Sequence, residues 1–243
     1  MTVLIIIAFI LLSLLVDFFV QHHQQRRAFA ALTDFPADYS ASKAGARSYS
    51  FDEHLLPDGI FASSGHLWGM LTPSGKLRIG VDRLITRMVG SIDSILLPQR
   101  GQQVAKGNTL LQIKQGKRVI QLKSPCDGIV EEVNTDLLNK PAILNDGPFG
   151  NAWAISVKPN GLASTMKSLL IGEDARDWIK QEIIRMREFL ASVSHQPALA
   201  QTLQDGGLPA EGVLQQLDDQ AWEKFQQEFL SANPQQAVEV TVR

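Results

Sequence analysis

Apolar and polar positions change their rhythm three times along the chain, and each change marks a different kind of structure. Val3 to Val20, "VLIIIAFILLSLLVDFFV", is apolar apart from Ser13 and Asp17. As a helix this run spans roughly 27 Å, enough to cross a bilayer core. An apolar surface on every side predicts a transmembrane helix over residues 1–21. No lysine or arginine precedes it, while Arg26 and Arg27 follow it. The positive-inside bias then puts everything after residue 21 on the cytoplasmic side, a single-pass protein of the cytoplasmic membrane. A cleaved signal peptide would need a basic leading segment, which is missing. Residues 22–57 are polar, Ala/Ser-rich and broken by Pro36, Gly45 and Pro57, the pattern of a juxtamembrane connector.

From residue 58 to 160 the apolar runs become short and alternating. Two extended runs flank "TPSGK", a hairpin signal. Further short runs break at Pro98, Gly101 and Gly107, and "LLQIKQGKRVIQLKSPCDGIVEEVN" sets two strands around a tight "QGKR" tip. No helix-length segment separates these strands, so the reading is a mainly β sandwich or barrel, not a parallel α/β fold. After Pro159 the period becomes helical over 161–231. In "GEDARDWIKQEIIRMREFL", Trp178, Ile179, Ile183, Met186 and Leu190 share a face, with Glu173 and Asp174 near the start and Arg185 and Arg187 toward the end, as the helix dipole favours. Pro197, Gly206-Gly207 and Pro209 delimit two weaker helices, the second being "AEGVLQQLDDQAWEKFQQEFL". Its Trp222, Phe225 and Phe229 lie at helical spacing and read as core packing. Residues 232–243 read as a tail, either a loose strand or disordered.

Charge and cysteine content narrow the chemistry. A net charge of −2 gives no nucleic-acid surface. The single cysteine, Cys126, excludes an intrachain disulfide and a cysteine-built metal site, and nothing nearby lowers its pKa, so it reads as a small packing residue. Histidines 22, 23, 54, 66 and 195 are too scattered for a metal site. Nucleophile-elbow, P-loop, Rossmann and zinc signatures are missing, so the residues offer no catalytic motif.

Several pieces of 58–160 follow one family's order. "GHLWGML", with His66 and Trp68, opens the series. The Leu-Pro-x-x-Gly-x-x-Val-x-x-Gly rhythm comes next, then "SPCDGIVEEVN" and a final Trp153. In this order and spacing the segment resembles the H protein of the glycine cleavage system. The resemblance implies a barrel-sandwich hybrid (lipoyl-type hammerhead) fold, here with an N-terminal transmembrane helix and C-terminal α-helices. Independently of the family, Gly101, Gly107 and Gly128 fall where strands reverse and positive φ is useful. Trp68 and Trp153 supply apolar area to a small core.

The resemblance also implies a role for one lysine. The family's lipoyl lysine stands eight residues before the proline of its Ala-Pro motif, and eight before Pro125 is Lys117. A tip lysine suits amide attachment of lipoate, because the ε-amine projects on a flexible stem into a long swinging arm. The tip departs from the family at Lys114, at Gln115-Gly116 and at Arg118, which together make a cluster of cations. Leu84 stands where the family has a histidine near the docked arm. Lys123, six residues on, reads as an outward strand residue. Two functional readings follow. One is a membrane-anchored H-protein-like accessory or scaffold subunit binding protein partners of a membrane complex, with Lys117 an unmodified turn residue. The other is a lipoyl carrier with lipoate on Lys117, serving a membrane-associated redox or aminomethyl-transfer system.

Overall fold

The computed structural model describes residues 56, 57, 59–146, 149–193 and 209–230. The span expected over Val3–Val20, nearly all of the connector, the segment 194–208 and the tail lie outside these residues. Among the described residues no helix is long and apolar enough to cross a membrane.

Among the described residues nine strands form two antiparallel sheets. The larger orders β1 (Ile60–Ala62), β2 (Leu67–Leu71), β3 (Leu77–Val81), β9 (Trp153–Pro159), β8 (Gly128–Val133) and β5 (Gln103–Val104). The smaller orders β4 (Ser94–Leu96), β6 (Thr109–Gln115) and β7 (Arg118–Lys123). The period-2 alternation read from the sequence puts Leu77, Ile79 and Val81 of β3 and Ile120 and Leu122 of β7 inward, all within one apolar cluster. This is the mainly β domain that the pattern implied, of the hammerhead type that the resemblance implied. The "TPSGK" segment turns β2 into β3 in register Leu71↔Leu77, with the Thr72 hydroxyl accepting from Lys76 N at 3.1 Å.

Short helices interrupt the strands, which the sequence reading did not expect. Helix α1 (Arg83–Val89) follows β3 directly. Asp82 is its N-cap, accepting from Ile85 N at 2.8 Å, and Leu84, Ile85, Met88 and Val89 are buried. A cap followed by "RLITRMV" is a helix start, but seven residues is too short for periodicity to separate from a strand. Helices α2 (Thr135–Asn139) and α3 (Ile143–Asp146) are shorter still.

Gly128 corrects the turn reading. Gly101 and Gly107 do take positive φ, at 85° and 81°. Gly128 does not; it is needed for space, since a Cβ there would meet the Lys158 carbonyl oxygen at 2.5 Å. Gly80 is a second close approach. It pairs with Trp68 across β2–β3, and a Cβ would lie 2.4 Å from the Trp68 ring. The largest core side chain therefore lies flat over a bare backbone.

Beyond β9 come α4 (Leu162–Lys167) and α5 (Gly172–Val193). The apolar face of α5 buries Ala175, Ile179, Ile183, Met186, Phe189 and Leu190 in the same cluster as the sheets. Glu173 and Asp174 occupy its first turn, but Arg185 and Arg187 do not reach its last, because the helix runs on to Val193. The second expected helix is broken: a 3₁₀ turn (Val213–Gln216) precedes α6 (Asp219–Phe225), which continues as a π-type turn over Gln226–Leu230. Asp218 caps α6 by accepting from Ala221 N at 2.8 Å, which splits the pattern. Trp222, Phe225 and Phe229 are buried: Phe225 and Phe229 stack on each other and meet Phe189 at an angle, and Trp222 packs against Phe225, the core role expected of them.

Replacing Gly80 by alanine is expected to lower unfolding free energy by about 1–3 kcal/mol through overpacking against Trp68. Denaturant titration followed by tryptophan fluorescence checks it; an unchanged midpoint would show that the ring yields without cost.

Candidate functional site

Lys117 lies where β6 and β7 reverse. The two strands pair in register to Gln115↔Arg118, so the loop between them is only Gly116 and Lys117. Gly116 takes φ +57°, and Lys117 does not share the positive φ. Glycine first in a two-residue loop is the requirement of a type II′ turn, whose twist matches the flanking strands. Lys117 is exposed, and neither a hydrogen bond nor an ion pair engages its amine among the described residues. Lys123 lies at the far end of β7, outward as expected, with Nζ donating to the Thr109 hydroxyl at 3.0 Å.

The turn is fixed from the α1 side. Gly116 N donates to Asp93 Oδ2 at 2.6 Å. The Gln115 amide donates to the carbonyls of Val89 at 2.5 Å and Ser91 at 2.6 Å. A carboxylate is therefore present at the tip, supplied by Asp93 ahead of β4 and not by position 114. The expected cluster of cations is not what forms. Arg118 turns away from Lys117 and donates to the carbonyls of Leu214 (2.6 Å) and Leu217. Its guanidinium lies 4.9 Å from the centre of the Trp222 ring and 3.7 Å from Asp219. Carbonyl acceptors and an aromatic face absorb this charge better than a neighbouring lysine could. Lys114 stays exposed on β6. Leu84 is buried in α1.

Sequence reasoning missed a second polar cluster, beneath the sheets. His66 is fully buried at φ +61°, an unusual conformation for a side chain with a Cβ. Its Nδ1 is 2.8 Å from Asp82 Oδ2, the acid that also caps α1. Its Nε2 is 3.3 Å from Glu182 Oε1, close enough for an ion pair but poorly aligned for a hydrogen bond. Arg185 completes the chain, donating to Glu182 Oε2 at 2.6 Å and to the Glu228 carbonyl at 3.1 Å. Burial pulls the His66 pKa down, but the charge and hydrogen bond of Asp82, then Glu182, outweigh it and push it up to about 9. One signal was available: Glu182 falls between Ile179 and Ile183 on the apolar stripe of α5, and an acid there calls for a buried partner. Cys126 is buried, and burial followed by Asp127 pushes its thiol up to about 11, the inert packing role expected of it. Among the described residues no group of histidine, cysteine and acidic side chains could hold a metal ion.

The described β domain is a two-sheet sandwich that presents one exposed lysine on a tight hairpin. The family model "Glycine cleavage H-protein" matches residues 61–182, half of the chain, and the protein belongs to that family. The "Probable glycine cleavage system H protein" of Pyrococcus abyssi is 30% identical over 128 residues, covering 53% of this chain and 95% of that relative. The "Glycine cleavage system H protein" of Coprothermobacter proteolyticus is 30% identical over 122 residues, covering 50% of this chain and 95% of that one. A solved glycine cleavage system H protein from Mycobacterium marinum aligns with a TM-score of 0.44 at 26% identity, covering 52% of this chain and 98% of that chain.

The raised His66 pKa gives a pH dependence whose sign is fixed. Its stabilisation is complete below the ordinary histidine pKa of 6.5 and is lost as pH rises through about 9. Over that interval stability should fall by on the order of 3 kcal/mol more in the wild type than in His66→Asn. The substitution itself removes the counter-charge of buried Asp82 and leaves Glu182 with Arg185 alone, and should cost about 3–5 kcal/mol near neutrality. Urea titrations at pH 6.5, 8 and 9.5 measure both; parallel pH profiles for the two proteins would refute the assignment.

Proposed function

We propose that this protein is a lipoyl carrier of the H-protein type, with Lys117 as the attachment point. The observation that carries the reading is the lysine itself, the one side chain projecting from a two-residue turn whose glycine, neighbouring amide and following arginine are all held in place. The fit is chemical as well as positional: an exposed, unengaged ε-amine on a rigid base suits an amide-linked arm, because the base fixes where the arm starts while leaving it free to swing. A lipoyl group there would supply a dithiolane able to take up and hand on a reducing equivalent or an aminomethyl group. The chain's own part is presentation. Gly116 sets the turn, Asp93 and Gln115 hold it against the end of α1, and Arg118 leaves the tip to a single cation. Protein partners are the enzymes that load and unload the arm, a shuttle role in keeping with the matched family.

The apolar run Val3–Val20, with Arg26 and Arg27 after it, supports tethering of this carrier at the cytoplasmic face of a membrane. Redox or aminomethyl-transfer partners associated with that membrane would then meet the arm at high effective concentration.

One observation favours a second reading, in which the domain is an accessory or scaffold subunit without an arm. Residues 209–230, beyond the matched 61–182, pack Trp222, Phe225, Phe229 and Leu230 onto the domain, an addition that a carrier alone does not require.

Intact-mass and peptide analysis of the full chain from cells supplied with lipoic acid separates the two. The carrier reading expects a lipoyl adduct on Lys117 that disappears in Lys117→Arg; an unmodified chain overturns it and leaves the scaffold. Sedimentation of the full chain with membranes, resistant to carbonate and abolished by removing residues 1–21, is expected from the tether, and a fully soluble full chain would refute it.

A further inference from the structure

Lys117 and Arg118 are neighbours in sequence, yet their side chains belong to different parts of the molecule. Arg118 is spent on residues about a hundred positions away: the Leu214 and Leu217 carbonyls, the Trp222 ring and Asp219. The same C-terminal segment reaches the hairpin at one further point and the hairpin's anchor on α1 at another. Gln226 Nε2 donates to the Val119 carbonyl at 2.7 Å, along the outer edge of β7. Gln215 Nε2 donates to the Val89 carbonyl at 3.0 Å, the same oxygen that accepts from Gln115 of the hairpin. Hairpin and C-terminal segment therefore converge on one acceptor at the end of α1.

The junction is tightly fitted. Gly90, the C-cap of α1 at φ +73°, approaches so closely that a Cβ on it would lie 2.7 Å from the Gly212 Cα. Gly212 N donates to the Arg87 carbonyl at 2.9 Å, and Arg87 Nε to the Pro209 carbonyl at 2.9 Å. Apolar anchoring is supplied by Trp222 and by Phe225, which is wholly buried. Segment 209–230 thus closes the β7 edge and the α1 side of the hairpin. Among the described residues the β4 side, with exposed Asp93, Lys114 and Leu96, stays open.

We propose that residues 209–230 are a working part of the Lys117 site: a brace that positions the lysine through Arg118 and Gln215, and directs any enzyme acting on Lys117 to approach along the β4 flank. Arg118 is a positioning residue. Its fork satisfies two carbonyls at once while its face covers Trp222, which a lysine cannot reproduce. The enzymatic half of the proposal rests on the carrier reading; the positioning half does not.

The test uses the full chain as wild type, Arg118→Gln, Arg118→Lys and Val157→Ala, the last a core substitution remote from the tip that controls for general destabilisation. Three quantities are read: amide exchange at residues 116–119, acetylation of Lys117 relative to Lys114 by an amine-reactive ester, and the rate of lipoate attachment by a lipoate–protein ligase with ATP. Arg118→Gln is expected to speed tip exchange and weaken ligase KM each by roughly tenfold, the scale of one lost charge-assisted hydrogen bond. The selectivity for Lys117 over Lys114 should fall, Arg118→Lys should lie between, and Val157→Ala should leave all three unchanged. If Arg118→Gln behaves as Val157→Ala does in exchange and labelling, the brace is refuted. If the ligase fails on wild type while exchange and labelling respond as expected, the carrier reading fails and the brace stands.

Discussion

The interaction on which the rest depends is the buried pairing of His66 with Asp82 and Glu182. Three chain segments meet there: the turn into β2, the cap of α1 and the middle of α5. Two carboxylates brought out of water near each other would repel and pay a large desolvation cost; a protonated imidazole between them cancels most of both. Because Asp82 both holds His66 and caps α1, the position of that helix is tied to the same proton. Because Glu182 also binds Arg185, and Arg185 reaches the Glu228 carbonyl and the Phe229 ring, the tie extends into the C-terminal segment.

That linkage explains how a hairpin so far along the fold is held. The end of α1 offers the carbonyl that Gln115 and Gln215 share, so the turn carrying Lys117 is referenced to α1 and, through Asp82, to the core. The lysine is presented by a chain of contacts running from a buried charge to an exposed one. None of these contacts needs Lys117 itself, whose amine stays unengaged among the described residues.

Much of the β domain was legible in the sequence because strand alternation and turn residues are local. The hairpin around Gly116-Lys117 could be read from two alternating runs and a glycine, and the α5 face from its spacing. The short helix α1 was not legible, since seven residues carry too little period to tell a helix from a strand. Arg118 was misread for a different reason: its partners, Leu214, Leu217 and Trp222, are distant in sequence, and charge adjacency along the chain says nothing of where a guanidinium turns. His66 was counted among scattered histidines because its acids come from residues 82 and 182. For Arg118 and His66 the missing information was tertiary, and only the acid on the apolar stripe of α5 hinted at it.

The meeting of Gly90 with Gly212 carries a consequence of its own. Two backbones that nearly touch leave no room for a side chain on the first, and the second is held at a positive φ that disfavours one, so neither position can drift alone without prising the segments apart. An added segment that had merely come to rest on an older domain would leave the residue beneath it free to vary. Here the sandwich and its C-terminal segment share a fitted seam, which makes them one unit for mutation: tolerance at the end of α1 is set by a stretch of chain more than a hundred residues away.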